Sequence, residues 1–136
     1  MAISLSGRLH WRRMAPFHVQ LELHKASGPL RSLDRIEVQG RVVRVFRSDG
    51  RLGLGDNVTF KLWVCRPGDE PTGPAYIYED EFVRATHMEI YLDGDPPKCK
   101  VAAYEFSVID APSDQPTLTV KELEDMVARF GRLGMG

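Results

Sequence analysis

Apolar and polar residues alternate along much of this chain, and the segments in which they do so predict its strands. In residues 17–24 (FHVQLELH), Phe17, Val19, Leu21 and Leu23 fall on one side and His18, Gln20, Glu22 and His24 on the other. That period of two belongs to a half-buried strand, and Ala26-Ser27-Gly28-Pro29 then breaks it. Residues 58–65 (VTFKLWVC) repeat the pattern, with Val58, Phe60, Leu62 and Val64 directed to a core and Thr59, Lys61, Trp63 and Cys65 away from it. A run at 82–92 sets Met88, Ile90 and Leu92 against His87, Glu89 and Tyr91, and the last long run, 99–109, groups Tyr104, Phe106 and Val108. Turn-forming residues separate these runs: Arg47-Ser48-Asp49-Gly50, then residues 53–57, the Pro/Gly-rich loop 66–74, and residues 93–97. Residues 75–80, with Tyr76 and Tyr78, read as a short strand or an irregular stretch, and no helix is predicted in the connection 66–82.

The run IEVQGRVVRVF carries a change of phase. Ile36, Val38 and Val42 share one parity, with Gly40 among them, and Val43 and Val45 take the other. A bulge or sharp bend produces such a switch, and Gly40 is the predicted corner. Helical periodicity is convincing once. Thr119-x-x-Glu122 forms a capping box, Val120, Leu123, Val127 and Phe130 line one face with Met126 beside them, and Gly131 is a natural stop. The expected organisation is a single domain over residues 1–136, with an irregular N-terminal arm at 1–16, a C-terminal helix at 119–130 and a frayed tail at 131–136.

Five to six strands in a meander, one phase switch and one helix favour a mainly β fold, a small closed or partly open β-barrel, with a β-sandwich as the alternative. The stretch VQGRVVRVFRSDGRLGLGDNVTFKLWV, residues 38–64, resembles the first hairpin of an OB-fold barrel. Such barrels pair a long, glycine-bent strand with a second strand introduced by a Gly-Asp turn. The resemblance concerns the fold and implies, at most, a sheet face suited to single-stranded nucleic acid.

Composition changes this picture little. At 136 residues and 43% hydrophobic, the chain can bury a core without metal or disulfide staples. No stretch approaches the roughly 20 apolar residues of a membrane-spanning helix, and the first residues lack the pattern of a secretory signal. Cys65 and Cys99 are too few, and at no motif spacing, for a disulfide framework or a thiolate zinc site. These features point to a cytoplasmic protein with no cofactor and no membrane partner.

Charge changes it more. Residues 1–66 hold 12 of the 18 Lys and Arg and 5 of the 19 Asp and Glu, a net of +7; residues 67–136 hold the remaining 6 and 14, a net of −8. The plainest expectation is that the two halves lie against each other and their charges pair. Catalytic signatures are missing: there is no P-loop, G-x-G-x-x-G, G-x-S-x-G or H-E-x-x-H. The glycine-rich GRLGLG at 50–55 precedes a strand rather than a helix and reads as a mobile hairpin loop. His18 and His24 stand about 20 Å apart along a strand, too far for one metal ion. His87 and Glu89 supply only two ligands and read as a solvated strand face, and Glu79-Asp80-Glu81 as a solvated edge.

The better candidate is a binding face. If the core side of each strand is as assigned, Lys61 and Trp63 face outward on one strand, His87 and Tyr91 on another, and Arg41 and Arg44 on the bent strand. The leading expectation is a non-enzymatic binding or assembly module presenting this aromatic and basic face to a protein partner or to its own copy. Single-stranded nucleic-acid binding by the same residues is the second, with stacking on Trp63 and Tyr91 and phosphate contacts from Arg41, Arg44 and Lys61. An enzyme with a loop-lined cleft is the third.

Overall fold

The computed structural model describes residues 5–24, 34–66, 68 and 76–131. Its strands are β1 (Phe17–His24), β2 (Asp34–Arg47), β3 (Asn57–Cys65), β4 (Tyr76–Tyr78), β5 (His87–Asp95) and β6 (Lys98–Ile109). Its helices are α1 (Leu5–Met14), α2 (Glu79–Arg84) and α3 (Val120–Gly131). The break at Ala26–Pro29, most of the 66–74 loop and the tail after Gly131 lie outside the described residues, as do the side chains of Tyr104 and Phe130.

The strands form one mixed sheet in the order β2-β1-β5-β6-β3-β4, and β2 also pairs with β3, so that five strands make a ring. The parallel junction of β3 with β6 is narrow. It consists of Thr59 beside Lys98, with the Thr59 amide donating to the Pro97 carbonyl at 2.8 Å. Beyond it β3 pairs with β4 instead. The arrangement is barrel-like and partly open, in agreement with the small OB-like β-structure expected from the sequence.

The length of β2, 14 residues, follows from its two partners: Asp34–Arg41 pairs with β3 and Gln39–Arg47 with β1. Gly40 lies in the overlap, where a Cβ would stand 3.2 Å from Leu21 Cβ and 3.3 Å from the Glu22 carbonyl. The phase switch itself comes later. Arg44 and Val42 oppose the adjacent Gln20 and Leu21, and Arg47 and Val45 oppose His18 and Val19, so Val43 and Phe46 are extra residues in two bulges. Gly40 is therefore the point of close approach and Val43 the point of phase change.

The inward faces are those the alternation predicts. Phe17, Val19 and Leu21 of β1, Val58, Phe60, Leu62 and Val64 of β3, and Met88, Ile90 and Leu92 of β5 are all at most 2% exposed in one core. Each such side chain contributes roughly 1.5–3 kcal/mol relative to an exposed position. Leu52, at 3% exposure, plugs the same core from the glycine-rich loop. Ser48 Oγ donates to its carbonyl and the Gly50 amide donates to Ser48 Oγ, so this loop is anchored and hydrogen-bonded.

Three expectations are corrected. Residues 5–14, read as part of an irregular arm, are α1. The connection before β5 carries β4 and α2, and β5 begins only at His87, because Phe82 turns into the core from a helical backbone and Ala85 follows it as the extended C-cap of α2. The outer faces of β1 and β5 are not solvated through their centres, β1 being solvated only at one end, at Glu22 and His24: His18 is 5% exposed, Gln20 and Glu89 0%, and Tyr91 1%. The segment leading into α3 covers Gln20, Glu89 and Tyr91, and α1 packs beside it against α3 and β6.

Candidate functional site

The six residues of the expected binding face separate into two places. Pairing of β5, β1 and β2 sets their outer side chains in three rows: His87–Glu22–Arg41, Glu89–Gln20–Arg44 and Tyr91–His18–Arg47. Four of the six, Arg41, Arg44, His87 and Tyr91, thus share one face. Lys61 and Trp63 lie on β3, across the ring, where β2 places Glu37 and Arg35 opposite them and β4 places Tyr76 beside Trp63.

The three rows differ in depth. In the first, Glu22 is shared by Arg41 at 3.4 Å and His24 at 3.3 Å near the surface, and His87 Nδ1 meets the Thr86 hydroxyl at 2.9 Å. In the second, Glu89 is inaccessible and accepts hydrogen bonds from four side-chain and backbone donors: His18 Nε2 at 2.9 Å, Gln20 Nε2 at 3.0 Å, and the Thr117 and Leu118 amides at 2.9 and 2.8 Å. Burial pushes its pKa up; the bonds from His18, Thr117, Gln20 and Leu118 more than offset this and hold the carboxyl down at about 2. Gln20 Oε1 accepts the Ser113 amide, and Arg44 pairs with Asp114 at 2.8 Å.

In the third row, the His18 and Tyr91 rings stack with centroids 4.0 Å apart, and the Arg47 guanidinium stands 5.7 Å from the Tyr91 centroid. Tyr91 donates its hydroxyl proton to the Leu118 carbonyl at 2.6 Å, and burial pushes its pKa up to about 12. Tyr91 is therefore a structural anchor beneath the helices, not a surface for stacking a ligand. Alongside, Glu105 of β6 accepts from Arg8 Nε at 2.7 Å and from the buried Arg12 Nε at 2.6 Å. Arg12 also donates to the Thr119 carbonyl at 2.6 Å, and Arg47 donates to the carbonyls of Arg12 and Ala15. Among the described residues the apolar part of this layer includes the cluster of Ala15, Tyr91, Ala102 and Leu118 and the buried Leu9 and Leu123.

The second place is more open. Trp63 is half-buried, and Tyr76 and Tyr78 are 41% and 36% exposed with their rings edge-on at 5.7 Å. Arg35 and Lys61 are exposed and have no carboxylate partner among the described residues. By contrast, Arg8 and Arg12 reach Glu105, Arg13 reaches Glu124, Arg44 reaches Asp114, Arg51 reaches Asp95 and Arg66 reaches Glu79. The basic first half and acidic second half do lie against each other.

A cavity of about 240 Å³ lies between the end of α2 and the end of β6, lined by Glu81, Arg84, Ala85, Thr86, Val108, Ile109 and Asp110. It is smaller than the roughly 300–1,000 Å³ of most ligand pockets, and its polar groups belong mainly to exposed residues. Among the described residues no group of three or more His, Cys, Asp or Glu is placed to hold a metal ion, and no helix is long and apolar enough to cross a membrane. Both cysteines are buried thiols, and burial pushes Cys99 up to about 11. The chain matches no protein-family model and no curated protein sequence.

Arg35, Tyr76 and Tyr78 were not among the expected site residues. Tyr76 and Tyr78 flank Ile77 at a spacing of two, which is the signature of a strand with both rings on its outer side. Glu89 and Glu105 were also missed as organising groups, because nothing local in a strand tells a buried carboxylate from a solvated one.

Proposed function

We propose that this protein is a non-enzymatic docking module whose ligand is an extended polypeptide segment, lying along β4 and against Trp63. The observation that carries this reading is the pair Tyr76 and Tyr78 on β4, which among the described residues has a partner on one side only, with Trp63 of β3 beside Tyr76. An edge strand offers unpaired backbone groups to an incoming strand, and rigid aromatic rings supply contact area at low entropic cost. Most of the arginines among the described residues pair internally, which favours a protein ligand over a phosphate backbone.

Selection of short displayed peptides on the full-length protein tests it. Enriched peptides are expected to lose about tenfold or more in affinity on Trp63→Ala or Tyr76→Lys. Peptides that bind equally well to both folded variants would end the reading. Sedimentation equilibrium over a dilution series shows whether the extended segment belongs to a second copy of the chain.

Arg35 and Lys61, exposed near Trp63 on an OB-like ring and without a carboxylate partner among the described residues, favour single-stranded nucleic acid as a second reading. In a Trp11→Phe background, quenching of Trp63 by an oligonucleotide at low salt, reversed by added salt, supports it. No quenching at low salt removes it.

A further inference from the structure

We propose that α1, the segment 113–119 and the start of α3 form a detachable cap, latched to the strand ring by the buried carboxylate of Glu89 and released as a unit by acid before the ring unfolds. The inference starts from what holds this layer in place. The ring has a dry core of leucine, valine, isoleucine, phenylalanine and methionine. Among the described residues, Leu9, Ala15 and Leu123 of the cap are buried and Leu118 is partly buried, while the hydrogen bonds that tie the cap to the sheet all end on polar groups. The amides of Thr117 and Leu118 end on Glu89, the Ser113 amide on Gln20, and the Tyr91 hydroxyl on the Leu118 carbonyl.

Glu89 is the hub because its two oxygens take every donor that the 117–118 backbone and the β1 side chains aim at it. A protonated carboxyl has a donor of its own and fewer lone pairs to offer. At least one of those donors then faces a proton inside a site closed to water, and a buried unsatisfied group of this kind is costly.

The surrounding charges shape the response. β1 presents His18, directly on Glu89, and β2 presents Arg44, held by Asp114, and Arg47, held by carbonyls of α1 and Ala15. β6 presents Glu105, which α1 satisfies through Arg8 and Arg12, and β5 itself carries Tyr91 and His87 on the same face. Neutralising Glu89 therefore leaves cations in excess along the seam, and their repulsion acts in the direction of opening. The face uncovered carries the His18–Tyr91 stack and Gln20.

Amide hydrogen exchange on the full chain, expressed as protection factors across a pH series, tests the proposal. The depressed pKa of Glu89 places the expected loss of protection at Ser113, Thr117 and Leu118 between about pH 4.5 and pH 2. Phe60, Leu62 and Ile90 should stay protected over that range. Single-tryptophan variants give the same comparison optically, since Trp11 reports α1 and Trp63 reports β3. In Glu89→Gln, cap protection should already be low at neutral pH while the ring stays protected. Loss of cap and ring protection at one common pH, or cap amides protected down to pH 2, would overturn the proposal. The wild-type titration decides the matter even if Glu89→Gln does not fold.

Discussion

Gly40 shows how one missing side chain sets the approach of two strands. A Cβ there would stand 3.2 Å from both Leu21 Cβ and Leu21 Cδ1, and Leu21 is fully buried in the core. Gly40→Val should cost about 1–3 kcal/mol by overpacking, read as a lower midpoint in chemical denaturation, with Gly40→Ala between it and wild type. Arg12 poses the opposite problem, a charge that burial makes obligatory. It is 1% exposed and shares Glu105 with Arg8. Arg12→Met should lose about 3–5 kcal/mol because it strips one partner from a buried carboxylate. The double variant Arg12→Met/Glu105→Met should recover most of that loss; if it is no more stable than Arg12→Met alone, the ion pair is not what the buried arginine supports.

At the level of elements, legibility followed the chemistry of burial. β3 alternates cleanly as far as Val64 because one of its faces is core and the other open, whereas Cys65, expected to face away from the core, is fully buried. α3 was equally readable: the Glu122 amide donates to Thr119 Oγ1 at 3.0 Å, half of the capping box that the sequence predicts. Thr119→Ala should therefore cost about 0.5–2 kcal/mol, measurable as a fall in thermal midpoint. β1 and β5 alternate just as cleanly yet are buried on both sides through their centres, where His18, Gln20, Glu89 and Tyr91 are satisfied by partners distant in sequence. Helix α1 was hidden for the same reason. Its buried residues are Leu9 and Arg12, so no apolar stripe marks it. One signal was present and unused. Arg41, Arg44 and Arg47 recur every third residue while their partners Glu22, Gln20 and His18 recur every second, and only a bulge in each repeat of β2 reconciles the two spacings.

For the whole molecule, Glu89 fixes how stability responds to pH. Its carboxyl titrates at about 2 in the folded chain against an ordinary value of 4.5. A depressed carboxylate contributes stability that is fully present above the unfolded value and is lost as pH falls toward the folded one. The window therefore runs from about pH 4.5 down to about pH 2, and the contribution at neutral pH is of order 3 kcal/mol. The free energy of complete unfolding, measured by denaturant titration at successive pH values, should fall across this window by about that amount beyond what exposed carboxylates lose. Glu89→Gln has no proton to take up, so it should be less stable at neutral pH and its curve should lie flatter through the window, the two proteins converging near pH 2. Parallel curves would mean that the acid sensitivity lies elsewhere in the chain. The surface pairs offer a contrast in the same experiment. Arg13–Glu124 and Arg44–Asp114 are half exposed or more on at least one side, and such pairs contribute roughly 0–1 kcal/mol and weaken with salt. Added salt should therefore change the neutral-pH stability little while leaving the acid slope set by Glu89 in place, because screening ions do not reach a carboxylate sealed beneath the Thr117–Leu118 backbone.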